Sequence, residues 1–191
     1  MAHEHYEHFR FDVVSAEYRE LLQRVSQPAL DAVIYCAAIG ERLSFDDLAR
    51  ETQVFEVNLT AAVTTAAIVL PPMLAARRGH LVVLSSLADV LVSEEYPSYN
   101  ASKAALSSYF AGLGRALRAT GVAASHIRFG FVGTKLAKSR VRPFMVTRKV
   151  AADVVVRTVQ GRSRRVSYPV KMALLVSALQ VVQSVKRLFA R

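Results

Sequence analysis

Short unbroken apolar runs alternate along this chain with longer segments whose apolar residues recur at helical spacing, and few architectures tolerate that alternation. A continuous apolar run suits a strand covered on both faces, as in a parallel sheet, and the helical segments between such runs supply the crossovers. The pattern predicts strands over residues 9–14, 32–38, 81–84, 122–128 and 165–168. It predicts helices over 16–25, 45–51, 54–77, 98–120, 150–160 and 171–191. Pro71-Pro72 should bend or end the third of these helices, Gly79 should release the chain into the next strand, and Gly121 should stop the fourth. With no repeat, low-complexity tract or interdomain linker, residues 1–191 read as one α/β domain, a parallel sheet with helices on both faces.

Composition narrows the class further. At 191 residues, 52% hydrophobic and 21% charged, the chain has apolar material for one ordinary core and lacks the make-up of a disordered protein. A lone cysteine, Cys36, excludes an internal disulfide, and its apolar neighbours mark it as a small buried residue rather than a nucleophile. The net charge of +10 gathers late, in Arg140, Arg142, Arg148, Lys149, Arg162, Arg164, Arg165, Lys171, Lys186, Arg187 and Arg191. No nucleic-acid motif or aromatic interleaving accompanies it, so a nucleic-acid partner is not expected. The opening Met-Ala-His-Glu-His-Tyr-Glu-His lacks the apolar centre of a signal peptide, so residues 1–8 read as a disordered terminus and a cytoplasmic location is expected. His3, His5 and His8 lack the cysteine or paired carboxylates of a recognisable zinc spacing, and no metal is expected. No run is long and uncharged enough to span a bilayer convincingly.

The chemistry-bearing residues begin with Tyr99 and Lys103, four apart on a helix and therefore able to face one cleft. A nearby ammonium favours phenolate and lowers a tyrosine pKa toward the range useful for proton transfer. Ser86 ends an apolar strand, where the active sites of open parallel sheets collect, and its hydroxyl can hydrogen-bond a substrate oxygen beside Tyr99. Asn58 sits in a mostly apolar helix and must find partners there or stay wet. Gly130-Phe131-Val132-Gly133-Thr134 directly follows a strand, a natural place for backbone to approach a ligand. His80 and His126 have no companions suggesting a triad and read as structural.

Taken in order, Asp12-Val13, Cys36-Ala37-Ala38-Ile39-Gly40, Val57-Asn58-Leu59, Ser85-Ser86, Tyr99-Asn100-Ala101-Ser102-Lys103 and Phe129-Gly130 with Thr134 resemble the short-chain dehydrogenase/reductase family, from about residue 9 onward. The resemblance implies a Rossmann-like sheet and an NAD(P)-dependent oxidoreductase interconverting an alcohol and a carbonyl. Tyr99 would be the general acid/base and Ser86 would orient the reacting oxygen. Lys103 would lower the Tyr99 pKa and hold the nicotinamide ribose, and Asn58 would hold a water in the proton relay. Asp12 and Val13 would flank the adenine, Cys36, Ala37 and Ala38 would pass close to the cofactor, and Gly130, Val132 and Thr134 would meet its carboxamide end. Departures are Tyr35-Cys36-Ala37-Ala38 where the family commonly has Asn-Asn-Ala-Gly, and Phe129 for the proline before Gly130.

A larger departure is at the start. The family opens with a strand, a Gly-rich turn and a helix that receives the pyrophosphate, and the first glycine here is Gly40. Of the family's sheet order 3-2-1-4-5-6-7, this chain is expected to supply strands three to seven, without the first two. The run at 32–38 should then be an exposed apolar edge and an aggregation hazard. The choice between NAD and NADP is not readable. The chain is expected to be either a truncated relative or a reading frame begun too late, and the alternative to an enzyme is a non-catalytic remnant that binds no dinucleotide by itself.

In the tail, Met172, Leu175, Val176, Leu179, Val182, Val185 and Phe189 can share one helical face, with Gln180, Gln183, Ser184, Arg187 and Arg191 largely opposite. A terminal helix packed over the substrate cleft or a subunit is the favoured reading, and peripheral membrane contact through residues 171–191 the lesser one. By resemblance a homo-oligomer is expected, through helices rich in small residues such as Ala61, Ala62, Ala66, Ala67, Ala104 and Ala105. Residues 134–147, which should cover the substrate, mix Leu136, Val141, Phe144 and Met145 with cations, suiting an apolar or acidic molecule.

Overall fold

The computed structural model describes residues 6–136 and 141–189. Four parallel strands form one sheet in the order β1 (Val33–Tyr35), β2 (His80–Ser86), β3 (Ala123–Phe129) and β4 (Arg165–Tyr168). Leu84 pairs with Ile127, Ser86 with Phe129, and Phe129 with Tyr168, so the C-terminal ends of β2, β3 and β4 are level. Among the described residues, six α-helices surround the sheet: α1 (Ala16–Val25), α2 (Ala49–Phe55), α3 (Ala61–Ala76), α4 (Pro97–Ala116), α5 (Arg148–Gly161) and α6 (Val170–Phe189). Strand alternation divides the core into two layers. Leu81, Val83 and Ala124 pack with Leu22 of α1, Ala62, Val69 and Met73 of α3, and Leu106 and Phe110 of α4. Val82, Ile127 and Phe129 face the other way, onto Val154 and its neighbours on α5.

Two predicted strands change. Residues 9–14 form no strand: with no ladder beside it, this run gains nothing from extension, and Asp12 draws it into the turn that opens α1. There Asp12 accepts the Val14 N–H at 3.2 Å, and Ser15 caps the helix by accepting the Tyr18 N–H at 3.1 Å. The run at 32–38 shortens to three residues that pair only with β2. Tyr35 is buried, donating its phenol proton to the Val57 carbonyl at 2.6 Å, but Ile34 is exposed, so burial on both faces does not hold for this edge.

The long helix also departs from expectation. It runs from Ala49 to Ala76 through Pro71 and Pro72, because both lie near its end on the less buried side while Val69, Leu70 and Met73 anchor the same turns in the core. It ends at Arg77, left-handed at φ 51, and the chain reverses at Gly79 (φ 134), where a Cβ would stand 2.5 Å from the Met73 side chain. Among the described residues this is the one helix long and apolar enough to cross a membrane, and 33% of its apolar window is buried, in part against the sheet. Helix α4 stops at Ala116, before the expected 120, and Gly121 (φ 86) turns the chain into β3. The predicted face of α6 is only partly right: Met172 and Val176 turn inward, together with Gln183, while Leu175, Leu179, Val182 and Val185 are exposed. Residues 190–191, with His3 and His5, lie outside the described residues.

Candidate active site

The C-terminal ends of β2 and β3 open into a cavity of about 800 Å³. Strand β2 delivers Ser86, whose extended backbone starts the 3₁₀ turn Leu87–Val90 and whose hydroxyl accepts the Ala88 N–H at 3.1 Å. Helix α4 begins with Pro97, whose missing N–H costs nothing there, so Tyr99 falls in the first turn and Lys103 one turn on. The turn is pinned from two sides: the Asn100 amide donates to the Leu91 carbonyl at 3.0 Å, and the Ser98 N–H to Glu51 at 3.3 Å. Tyr99 and Ser86 line the same cavity, and the Lys103 ammonium lies 5.9 Å from the centre of the Tyr99 ring. Gly40 makes room for that ring, since a Cβ there would stand 3.2 Å from it.

Electrostatics around this trio are dominated by desolvation. Burial pushes the Tyr99 phenol up; the Ser86 hydrogen bond pulls it back, and the Asp89 carboxylate adds to the rise. A phenol lowered by Lys103, as the spacing suggested, is therefore not what this chain presents: the ammonium donates instead to the Leu84 carbonyl at 2.9 Å. Lys103 is buried, and burial lowers its pKa to about 8.

Asn58 occupies a π-turn, Glu56–Thr60, inserted between α2 and α3, a local widening often found at functional sites. Its side chain is fully buried and fully used. The Oδ1 accepts the Ile39 N–H at 2.8 Å, and the Nδ2 donates to the Ile39 carbonyl at 2.9 Å and to Ser102 at 3.1 Å. Ser102 in turn donates to the Tyr99 carbonyl at 2.8 Å. The residue thus clamps the loop after β1 onto the helix carrying Tyr99.

Of the candidate cofactor contacts, Cys36, Ala38, Tyr99, Lys103, Gly130, Val132 and Thr134 line the cavity; Ala37, Asp12 and Val13 do not. Cys36 is exposed, contrary to the buried thiol its neighbours suggested, because it follows the last residue of an edge strand. Gly130 serves packing: a Cβ there would stand 3.0 Å from Met172 and 3.3 Å from Pro169. His80 and His126 are buried in the sheet, away from the cavity lining; His80 contacts Ser125 at 2.6 Å.

Sequence reasoning missed a buried ion pair beneath the site. Arg128 donates from Nε (2.6 Å) and Nη2 to both oxygens of Asp89. Ser107 donates to the same carboxylate at 2.6 Å and contacts Ser85 at 2.7 Å, while Arg128 Nη1 reaches Ser167 at 3.2 Å. The available signal was a lone acid in Ser-Leu-Ala-Asp-Val-Leu-Val and a lone cation in an apolar strand, two polar intrusions of opposite sign.

Comparison with known proteins agrees with this architecture. The short chain dehydrogenase family profile matches residues 2–143. The chain belongs to that family. An uncharacterized oxidoreductase of Myxococcus xanthus is 33% identical over 152 residues, covering 76% of this chain and 59% of that protein. Dehydrogenase RED2 of Cochliobolus heterostrophus is 35% identical over 103 residues, 53% of this chain and 38% of that protein. The chain thus spans under two thirds of the length of these relatives. Among solved structures, a short chain dehydrogenase from Burkholderia cenocepacia in complex with NADP superposes with TM-score 0.75 at 20% identity, covering 88% of this chain and 73% of that one. A short-chain dehydrogenase from Streptomyces avermitilis gives 0.72 at 16% identity, with 92% and 76% covered.

Proposed function

We propose that this chain carries the catalytic half of an NAD(P)-dependent oxidoreductase acting on an apolar carbonyl compound or the corresponding secondary alcohol. The observation that carries this reading is the convergence of Ser86, Tyr99 and Lys103 in one cavity at the ends of β2 and β3. In carbonyl reduction, the Ser86 hydroxyl orients the substrate oxygen and the Tyr99 phenol donates its proton to it. A phenol held high by burial suits the donor role. Lys103 at about 8 is largely charged at neutral pH and able to donate to a ribose hydroxyl. The nicotinamide ring would supply the hydride chemistry.

The residues present fit the ribose–nicotinamide end of such a cofactor: Lys103 and Tyr99 supply polar groups, and Cys36, Ala38, Val132 and Thr134 line the same cavity. Among the described residues no glycine-rich turn receives a diphosphate. Most of the remaining lining, including Leu91, Leu136, Phe131, Val155 and Met172, is apolar, with Ser85, Tyr96, Asn100 and Arg148 as polar exceptions, which favours a largely hydrophobic substrate.

Titration of NADH and NADPH into the purified protein, followed by assay against a panel of apolar ketones and secondary alcohols, tests the reading. Tyr99→Phe should cut kcat by roughly 10²-fold or more while dinucleotide affinity changes little. Undiminished turnover in that variant would overturn the mechanism, and absence of dinucleotide binding would favour a non-catalytic remnant.

A further inference from the structure

Helix α6 hands only a narrow strip to the rest of the molecule. Met172 and Val176 line the cavity, and the Gln183 amide brackets Val92, accepting its N–H and donating to its carbonyl, both at 3.2 Å. The surface turned away carries Leu174, Leu175, Leu179, Val181, Val182 and Val185, between 40 and 68% exposed. Scattered exposed apolar residues are ordinary, but six large ones on one side of one helix form a continuous patch that water covers at a cost.

We infer that this outward face of α6 docks onto an anionic lipid bilayer, lying in its interface. Three observations select that occupant. First, charge is divided sharply along the chain: residues 1–100 hold 7 Lys and Arg with 14 Asp and Glu, whereas residues 101–191 hold 18 Lys and Arg with Asp153 as their single carboxylate. Lys171 stands at one end of the apolar face, and Lys186-Arg187 follow in sequence at the other. Lys103 and Arg128 are buried, Arg128 against Asp89, but Lys171 and the pair Lys186-Arg187 flank the apolar run in sequence, and anionic headgroups complement them where the matching cations of a second copy would repel. Second, the helix follows β4, at the opposite side of the sheet from the open backbone edge of β1, so a strand completing that edge would leave the patch bare. Third, the uncharged run between Lys171 and Lys186 is 14 residues, about 21 Å as a helix against a hydrocarbon core of roughly 30 Å, so it suits lying along a membrane better than crossing it. An apolar face joined to flanking cations meets the two-signal requirement for stable interfacial binding.

Flotation of the purified protein with phosphatidylglycerol/phosphatidylcholine vesicles, and with phosphatidylcholine alone, tests this. The protein should float with the anionic vesicles, at least about tenfold more tightly than with neutral ones, and high salt should release much of it. The double variant L174E/V181E should lose at least about tenfold in vesicle affinity with an unchanged circular-dichroism spectrum. Both sites are exposed, and L174S/V181S provides a milder second variant if the charged one misfolds. Failure of the wild-type protein to float, equal flotation of a folded variant, or a solution dimer that the variant dissociates would each overturn the inference, the last showing that a second copy covers the face.

Discussion

At the scale of single residues, the Asp89–Arg128 pair ties together the parts on which the site depends. Asp89 follows Ser86 by three residues, Ser107 lies one turn beyond Lys103, and Arg128 precedes Phe129 at the cavity floor. Both side chains are under a tenth exposed, so removing one partner strands a charge. Asp89→Leu or Arg128→Met alone should cost roughly 3–5 kcal/mol in urea unfolding, and the double variant far less. Equal losses in single and double variants would show that the pairing is not what matters. This pair was not legible in the sequence, because sheet register brings together residues 39 apart in a way no local spacing announces. Tyr99, Lys103 and Ser86 were legible because helical spacing and a strand end place them with no long-range knowledge. The exposed thiol of Cys36 was misread: an apolar neighbourhood in sequence implies burial only when a second strand covers it.

At the scale of elements, the π-turn around Asn58 is the least regular piece of backbone and the most tightly used. The turn lets a buried amide satisfy both polar groups of Ile39 while the helix continues on either side. Asn58→Ala should cost roughly 1–3 kcal/mol by orphaning those groups, measurable as a lower urea midpoint with unchanged m-value. Wild-type stability in that variant would mean water replaces the amide freely. Helices α1 and α5 and strands β2 to β4 followed the apolar pattern closely, since their periodicity is set by packing on a sheet already present. The run at 9–14 failed for the complementary reason: a β pattern becomes a strand only beside a ladder. The helix continues through Pro71-Pro72 to Ala76 because buried side chains in the same turns outweigh two lost hydrogen bonds.

At the scale of the whole molecule, the buried histidines make the fold acid-sensitive. Burial and then Arg165 lower His126 to about 4 against an opposing pull from Asp89, with Arg128 adding a smaller push, and burial lowers His80 as well. Both are therefore neutral in the folded chain, while the unfolded chain takes up protons below the ordinary value of 6.5. Stability should be fully present above that value and fall by roughly 2–3 kcal/mol for His126 as pH drops toward 4. Urea midpoints measured across this window should fall less steeply in His126→Gln, and a parallel fall would refute the assignment. One small feature then acquires reach. Because a single glutamine near the chain's end grips both backbone groups of Val92, the last helix and the loop that carries Leu91 into the cavity form one mechanical unit. A force that tips that helix also moves the cavity wall.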